Sequence, residues 1–80
     1  MTQASRAPVR VAIAGLGAIG MQIAHSLDRG IPGYTLAAGS ASDRGKASER
    51  VSRLARPVPV VGLDELEPLA DLVIECAPAK

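Results

Sequence analysis

The sequence predicts an α/β fold built on a parallel sheet, and three observations carry that expectation. A run apolar but for Arg10, Val9 to Ala14, leads directly into Gly15-Leu16-Gly17-Ala18-Ile19-Gly20. That G-x-G-x-x-G opens a segment with helical periodicity, the context in which the motif is informative. The chain also holds one Tyr and no Phe or Trp, so its core must come from Val, Ile, Leu and Ala, as in parallel strands covered on both faces.

Taken in order, the first strand spans Val9 to Ala14, with apolar residues pointing both ways as in a central strand. The first helix is expected over Ala18 to Arg29, with Ile19, Ile23 and Leu27 as the face on the sheet and Gly30 and Pro32 as the stop. His25 lies mid-helix, off that stripe, and is read as a surface residue rather than a catalytic one. Tyr34 to Ala38 reads as the second strand, ending near Gly39 or Ser40. The next helix starts near Asp43 as N-cap, with Ala47, Val51, Leu54 and Ala55 facing inward and Lys46, Arg50 and Arg53 on a solvated face. Val58 to Val61 is expected as a third strand, at an edge because Pro57 and Pro59 cannot donate to a ladder. Leu63 to Leu66 forms a helical turn that Pro68 ends or redirects, and Asp71 to Ala77 returns beside the first strand as the fourth. The predicted fold is thus a partial Rossmann-type, doubly wound parallel sheet of strand order 3-2-1-4, stopping after the fourth strand.

The chemistry the motif points to is dinucleotide binding. Gly15 makes the tight turn out of the strand, Gly17 lets a pyrophosphate approach the backbone, and Gly20 lets the helix pack closely. Phosphates then face the helix N-terminus, where unpaired N–H groups and the positive end of the dipole point. An acidic residue about 20 positions beyond the glycines commonly binds the ribose 2′-hydroxyl of NAD. Here that count reaches Ser40, followed by Ala41, Ser42, Asp43 and Arg44. With Asp43 taken as a helix cap, Ser40, Arg44 and Lys46 are expected to accept a 2′-phosphate, so that NAD or NADP is the cofactor and NADP is tolerated. Cys76, Ala77 and Pro78 fall at the carboxyl end of the last strand, beside the topological switch point, on the nicotinamide side. Cys76 has no neighbouring His or basic cluster to activate it and reads as a small buried thiol. Gly45-Lys46 fails as a P-loop because the spacing is wrong and Ala47 stands where Ser or Thr is required.

Composition narrows the alternatives. A net charge of +1 and the lack of an aromatic platform give no reason to expect nucleic acid, no metal-ligand cluster is apparent, and no apolar run approaches a membrane span. One Cys excludes an internal disulfide, and a cytoplasmic location is expected. Residues 1–8 read as a disordered lead-in, and residues 9–80 as the N-terminal part of a dinucleotide-binding domain, which in this class has two βαβ halves. The expectation is therefore a piece of a longer enzyme, or a chain covered by another. The catalytic groups and the substrate-binding domain would lie outside these residues.

Val11 to Gly20, the Leu63-Asp64-Glu65-Leu66 turn and above all Asp71-Leu72-Val73-Ile74-Glu75-Cys76-Ala77-Pro78 resemble the N-terminal part of L-aspartate dehydrogenases, which share a homoserine-dehydrogenase-type NAD-binding domain. The resemblance implies oxidation of L-aspartate to iminoaspartate with NAD or NADP, in nicotinamide biosynthesis or aspartate catabolism, by an enzyme expected to be a homo-oligomer when complete. It implies that Gly15, Gly17, Ala18, Ile19 and Gly20 hold the pyrophosphate and that Cys76 and Ala77 lie near the nicotinamide. No residue here inherits a catalytic role, because the family's catalytic histidine lies beyond Lys80. The missing acid after the second strand departs from many relatives. The residues by themselves leave open a sugar or polyol oxidoreductase, or a dinucleotide-sensing domain without chemistry.

Overall fold

The computed structural model of the chain describes residues 7–76. Its elements are β1 (Val9–Ala14), α1 (Ala18–Arg29), β2 (Tyr34–Ser40), α2 (Arg44–Val51), two short 3-10 turns (Leu63–Glu65 and Glu67–Leu69) and β3 (Leu72–Glu75). Both strand pairings are parallel, and β1 lies in the middle of the order β2-β1-β3. The α/β class and the central position of the first strand agree with the sequence, and the arrangement is that of a partial Rossmann-like fold.

The four-strand order 3-2-1-4 is not formed. Residues 58–61 make one isolated bridge, Val60 to Gly39, closed by Gly39 N–H to the Pro59 carbonyl at 3.1 Å and Val61 N–H to the Gly39 carbonyl at 2.9 Å. Pro57 and Pro59 have no N–H with which to extend the ladder, so the expected third strand shrinks to a contact outside β2. The returning strand is consequently the third of the sheet. It is also shorter than residues 71–77: Asp71 is drawn to Arg10, Cys76 follows the last paired residue, and Ala77 lies outside the described residues.

Alternation along β1 divides the core. Val11 and Ile13 face α1 and α2, where they join Leu16, Met21, Ala24, Leu27, Ala47, Val51 and Leu54. Ala12 and Ala14 face the other way and meet Ala38 of β2 and Leu66 from between the two 3-10 turns. Alanines on that face let a two-turn segment, rather than a long helix, seal the sheet. Pro68 sits inside the second of those turns instead of ending the first.

Two helix faces are shifted from expectation. On α1 the buried positions are Gly20, Met21, Ala24 and Leu27, while Ile23 is half-buried and Ile19 is 64% exposed. Gly20 sets this phase, because it must face β1 and the turn before it. On α2 Asp43 caps as expected, its carboxylate accepting from Lys46 N–H at 3.0 Å, and Ala47 and Val51 are buried. The helix ends at Val51, so Leu54 reaches the core from a turn and Ala55 is exposed. There Asp28 at the end of α1 accepts from Ala55 N–H at 2.8 Å and Arg56 N–H at 3.0 Å, which ties the exit of α2 back to α1.

Candidate dinucleotide site

The corner between β1 and α1 is made almost wholly of backbone. Gly15 turns the chain at φ 107°, in the left-handed region where a side chain is strained. Gly20 lies so close that a Cβ there would collide with the Gly15 carbonyl oxygen and approach Ile13 Cγ2 to 3.2 Å. Gly17 is the N-cap of α1 and caps it without a side chain. The first N–H groups of a helix have no intrahelical partner, so those of Ala18 and Ile19 remain open beside it. Gly17, Ala18 and Ile19 are exposed, and nothing lies within 4 Å of where a Gly17 Cβ would stand. This is the geometry a pyrophosphate needs: an uncrowded backbone approach at the positive end of a helix.

The turn is fastened to β2. Ser40 carbonyl accepts from Gly15 N–H at 3.1 Å and from Leu16 N–H at 2.8 Å. A register shift makes this possible: Val11 pairs with Leu36 but Ala12 pairs with Ala38, so Ala37 is an extra residue and Ser40 comes level with Ala14. Bulges of this kind re-aim a strand end and are enriched beside sites.

A cleft of about 760 Å³ opens over this corner. It brings Gly15 and Gly17 together with Ser40, Ser42, Asp43, Arg44 and Lys46 from the β2-to-α2 connection, Arg50 from α2, Val61 and Gly62 from the far side, and Glu75 from the end of β3. Of the residues expected at the site, Ser40 and Arg44 therefore share one cleft with Gly15 and Gly17. Ser40 is buried and serves the turn through its carbonyl. Ala18 and Ile19 do not line the cleft and follow Gly17 as the first exposed residues of α1, and Gly20 acts from beneath as packing. Cys76 does not line the cleft: it is half-buried against the helix-side core, and its N–H bonds to the Ala14 carbonyl at 2.8 Å. Ala77 lies outside the described residues.

Arg50 is a cleft residue that the sequence places on a solvated face. Its Nη1 approaches the Leu16 carbonyl at 3.5 Å and so reaches the Gly-rich turn. Three cations, Arg44, Lys46 and Arg50, thus line the cleft against two carboxylates, Asp43 and Glu75, of which Asp43 is already bonded to the start of α2. The signal for Arg50 was its spacing, since Lys46 and Arg50 are four residues apart on one helix and share a side of it. Gly62 also carries no sequence signal, yet a Cβ there would lie 3.0 Å from Arg44 Nη2, so the guanidinium lies over bare backbone.

Among the described residues no group of three or more His, Cys, Asp or Glu gathers to hold a metal, and no helix is long and apolar enough to cross a membrane. His25 is exposed and away from the cleft.

A parallel β-α-β unit with a glycine turn at the carboxyl edge of its sheet defines the class: a Rossmann-like α/β unit of the kind found in nucleotide-dependent oxidoreductases. Within it the chain is similar to two curated proteins. It is 49% identical over 76 residues to L-aspartate dehydrogenase 3 of Bordetella bronchiseptica, and 46% identical over 77 residues to L-aspartate dehydrogenase of Bradyrhizobium diazoefficiens. Those matches take in 94% and 96% of this chain but 28% and 27% of the relatives, in their N-terminal part. The resemblance drawn from the Gly-rich turn and the final strand is upheld at that level. No protein-family model matches the chain.

Proposed function

We propose that residues 9–80 are the N-terminal part of the dinucleotide-binding domain of an L-aspartate dehydrogenase that takes NAD or NADP. The observation that carries this reading is the pairing of a side-chain-free helix start at Gly17 with a cleft walled by Arg44, Lys46 and Arg50. The backbone of Gly17, Ala18 and Ile19 binds the pyrophosphate, and Gly15 and Gly20 keep the turn tight enough to present it. Ser40 stands where an acid commonly binds the ribose, the neighbouring Asp43 carboxylate is engaged with Lys46 N–H as the α2 cap, and Arg44 supplies a planar, doubly donating cation suited to a 2′-phosphate. When bound, the nicotinamide supplies the acceptor for the hydride that leaves the α carbon of the amino acid. Cys76 follows the last paired residue of β3, outside the cleft, and takes no chemical step of its own; a place for Ala77 near the nicotinamide rests on the family resemblance alone.

Substrate binding and catalysis belong to residues outside this chain, in an enzyme that acts on CH–NH2 donors, works as a homo-oligomer and resides in the cytoplasm. The test is aspartate-dependent reduction of NAD and of NADP by the complete protein. Turnover with aspartate and none with sugars or polyols is expected, and a protein that binds dinucleotide without oxidising aspartate overturns the assignment. The 80-residue chain alone is expected to bind cofactor weakly and to turn nothing over.

A further inference from the structure

Leu16 is the inward-facing side chain of the Gly-rich turn, 3% exposed between the open glycines. It rests on Gly39 of β2: a Cβ built there would collide with Leu16 Cδ1 and come within 2.8 Å of Cγ and 3.2 Å of Cδ2. Gly39 is not among the glycines with positive φ, so the backbone conformation does not require glycine at this position. Space does, as is common for a glycine inside a strand. Gly39 is also tied on its other edge by bonds to Pro59 and Val61, so a shift of the strand away from Leu16 would strain them. One residue on, the Ser40 carbonyl holds Gly15 and Leu16 N–H.

We infer that Gly39 is a positioning residue for the cofactor site: its missing side chain is the socket for Leu16, and the seated Leu16 holds the Gly-rich turn in its phosphate-accepting shape. This role rests on the dinucleotide reading above. A methyl group at 39 lifts Leu16, and the turn moves with it because Gly15 and Leu16 share their acceptor. The pyrophosphate that the turn would hold is common to both cofactors, so NADH and NADPH are weakened alike.

The test uses the complete protein as wild type, Gly39→Ala, Leu16→Ala and the double variant. Dissociation constants for NADH and NADPH are measured alongside hydrogen exchange of the Gly15 and Leu16 amides, which needs no ligand. Gly39→Ala is expected to weaken both cofactors roughly tenfold or more, as overpacking of a fixed site does, and to speed exchange at both amides. Removing the Leu16 side chain in the double variant relieves the clash, so it binds both cofactors more tightly than Gly39→Ala, while Leu16→Ala alone, which leaves the socket empty, binds them more weakly than wild type. A loss of stability spread over the whole fold would speed exchange at amides throughout the core, whereas the socket predicts faster exchange concentrated at Gly15 and Leu16. Should Gly39→Ala fail to fold, recovery of folding and binding in the double variant is the expected result. Wild-type affinity in Gly39→Ala, or a double variant no better than that single one, overturns the socket. A wild-type protein that binds neither cofactor overturns the dinucleotide reading itself, whereas unchanged amide exchange overturns the socket alone.

Discussion

The two flanks of β1 are held in different ways. On one side β2 runs seven residues, its last three, Ala38, Gly39 and Ser40, are buried, and the Gly-rich turn is bonded to its end. On the other side β3 runs four residues, with Leu72 and Val73 44% and 38% exposed. It is fastened at its start by Asp71, which accepts from Arg10 N–H, Nε and Nη2 at 3.0, 3.2 and 3.0 Å while its own N–H bonds to the Arg10 carbonyl at 2.8 Å. The candidate site stands on the buried flank. A phosphate cradle works by having its N–H groups already aimed, and burial with fixed backbone bonds supplies that, whereas an exposed charge pair supplies little.

If that contrast is right, damage to the β2 flank costs far more than damage to the β3 flank. The largest effect is expected from Leu66→Ala. Leu66 is 1% exposed and packs with Ala12 and Ala14 of β1 and Ala38 of β2, beside Val61 and Ala70. A loss of about 2–5 kcal/mol follows, read as a lower urea midpoint at unchanged slope. Gly20→Ala comes next, at about 1–3 kcal/mol, because the new methyl group meets the Gly15 carbonyl, which is backbone and cannot swing aside. Cofactor affinity should fall with it; a Gly20→Ala protein with normal stability and binding would show that the corner is not tightly built. Arg44→Ala is the sharper probe of the site. Loss of a charge-assisted contact predicts about ten- to a hundredfold weaker NADPH binding with NADH little changed, and equal loss for both removes the 2′-phosphate role.

How much of this was legible in the sequence follows the same division. β1, α1 and β2 could be bounded because an apolar run, a glycine turn and a Gly-Pro stop are local signals, and Asp43 announces its cap three residues ahead of Lys46 N–H. The phase of α1 was available but misread: once Gly20 is required to face the strand, Ala24 and Leu27 follow at helical spacing and Ile19 must turn outward. The fate of 58–61 depends on how many ladder N–H groups survive two prolines, which an apolar pattern does not count. The bulge at Ala37 and the socket at Gly39 have no pattern at all, because they arise from how two distant segments meet. The cleft position of Arg50 is of the same kind, since a solvated helix face and a cleft wall look identical in one dimension.

Asp71→Asn is expected to have the smallest effect, and its pH dependence says why. The Arg10 guanidinium and backbone N–H hold the Asp71 carboxyl below its ordinary value of 3.8, and the Ala55 and Arg56 N–H groups do the same for Asp28. A depressed carboxylate binds fewer protons when folded than when unfolded, so its contribution is complete above that value and is lost as pH falls through the lower folded one. At neutral pH Asp71→Asn should therefore lower the melting temperature slightly, less in high salt, because both side chains of the pair are about half exposed. As pH falls below 3.8 the variant and the wild type should draw together, while both lose the contribution of Asp28 in the same direction. A neutral-pH loss rivalling that of Leu66→Ala would mean that the β3 flank is held by its charge pair as firmly as the β2 flank is by its core, and the contrast would fail.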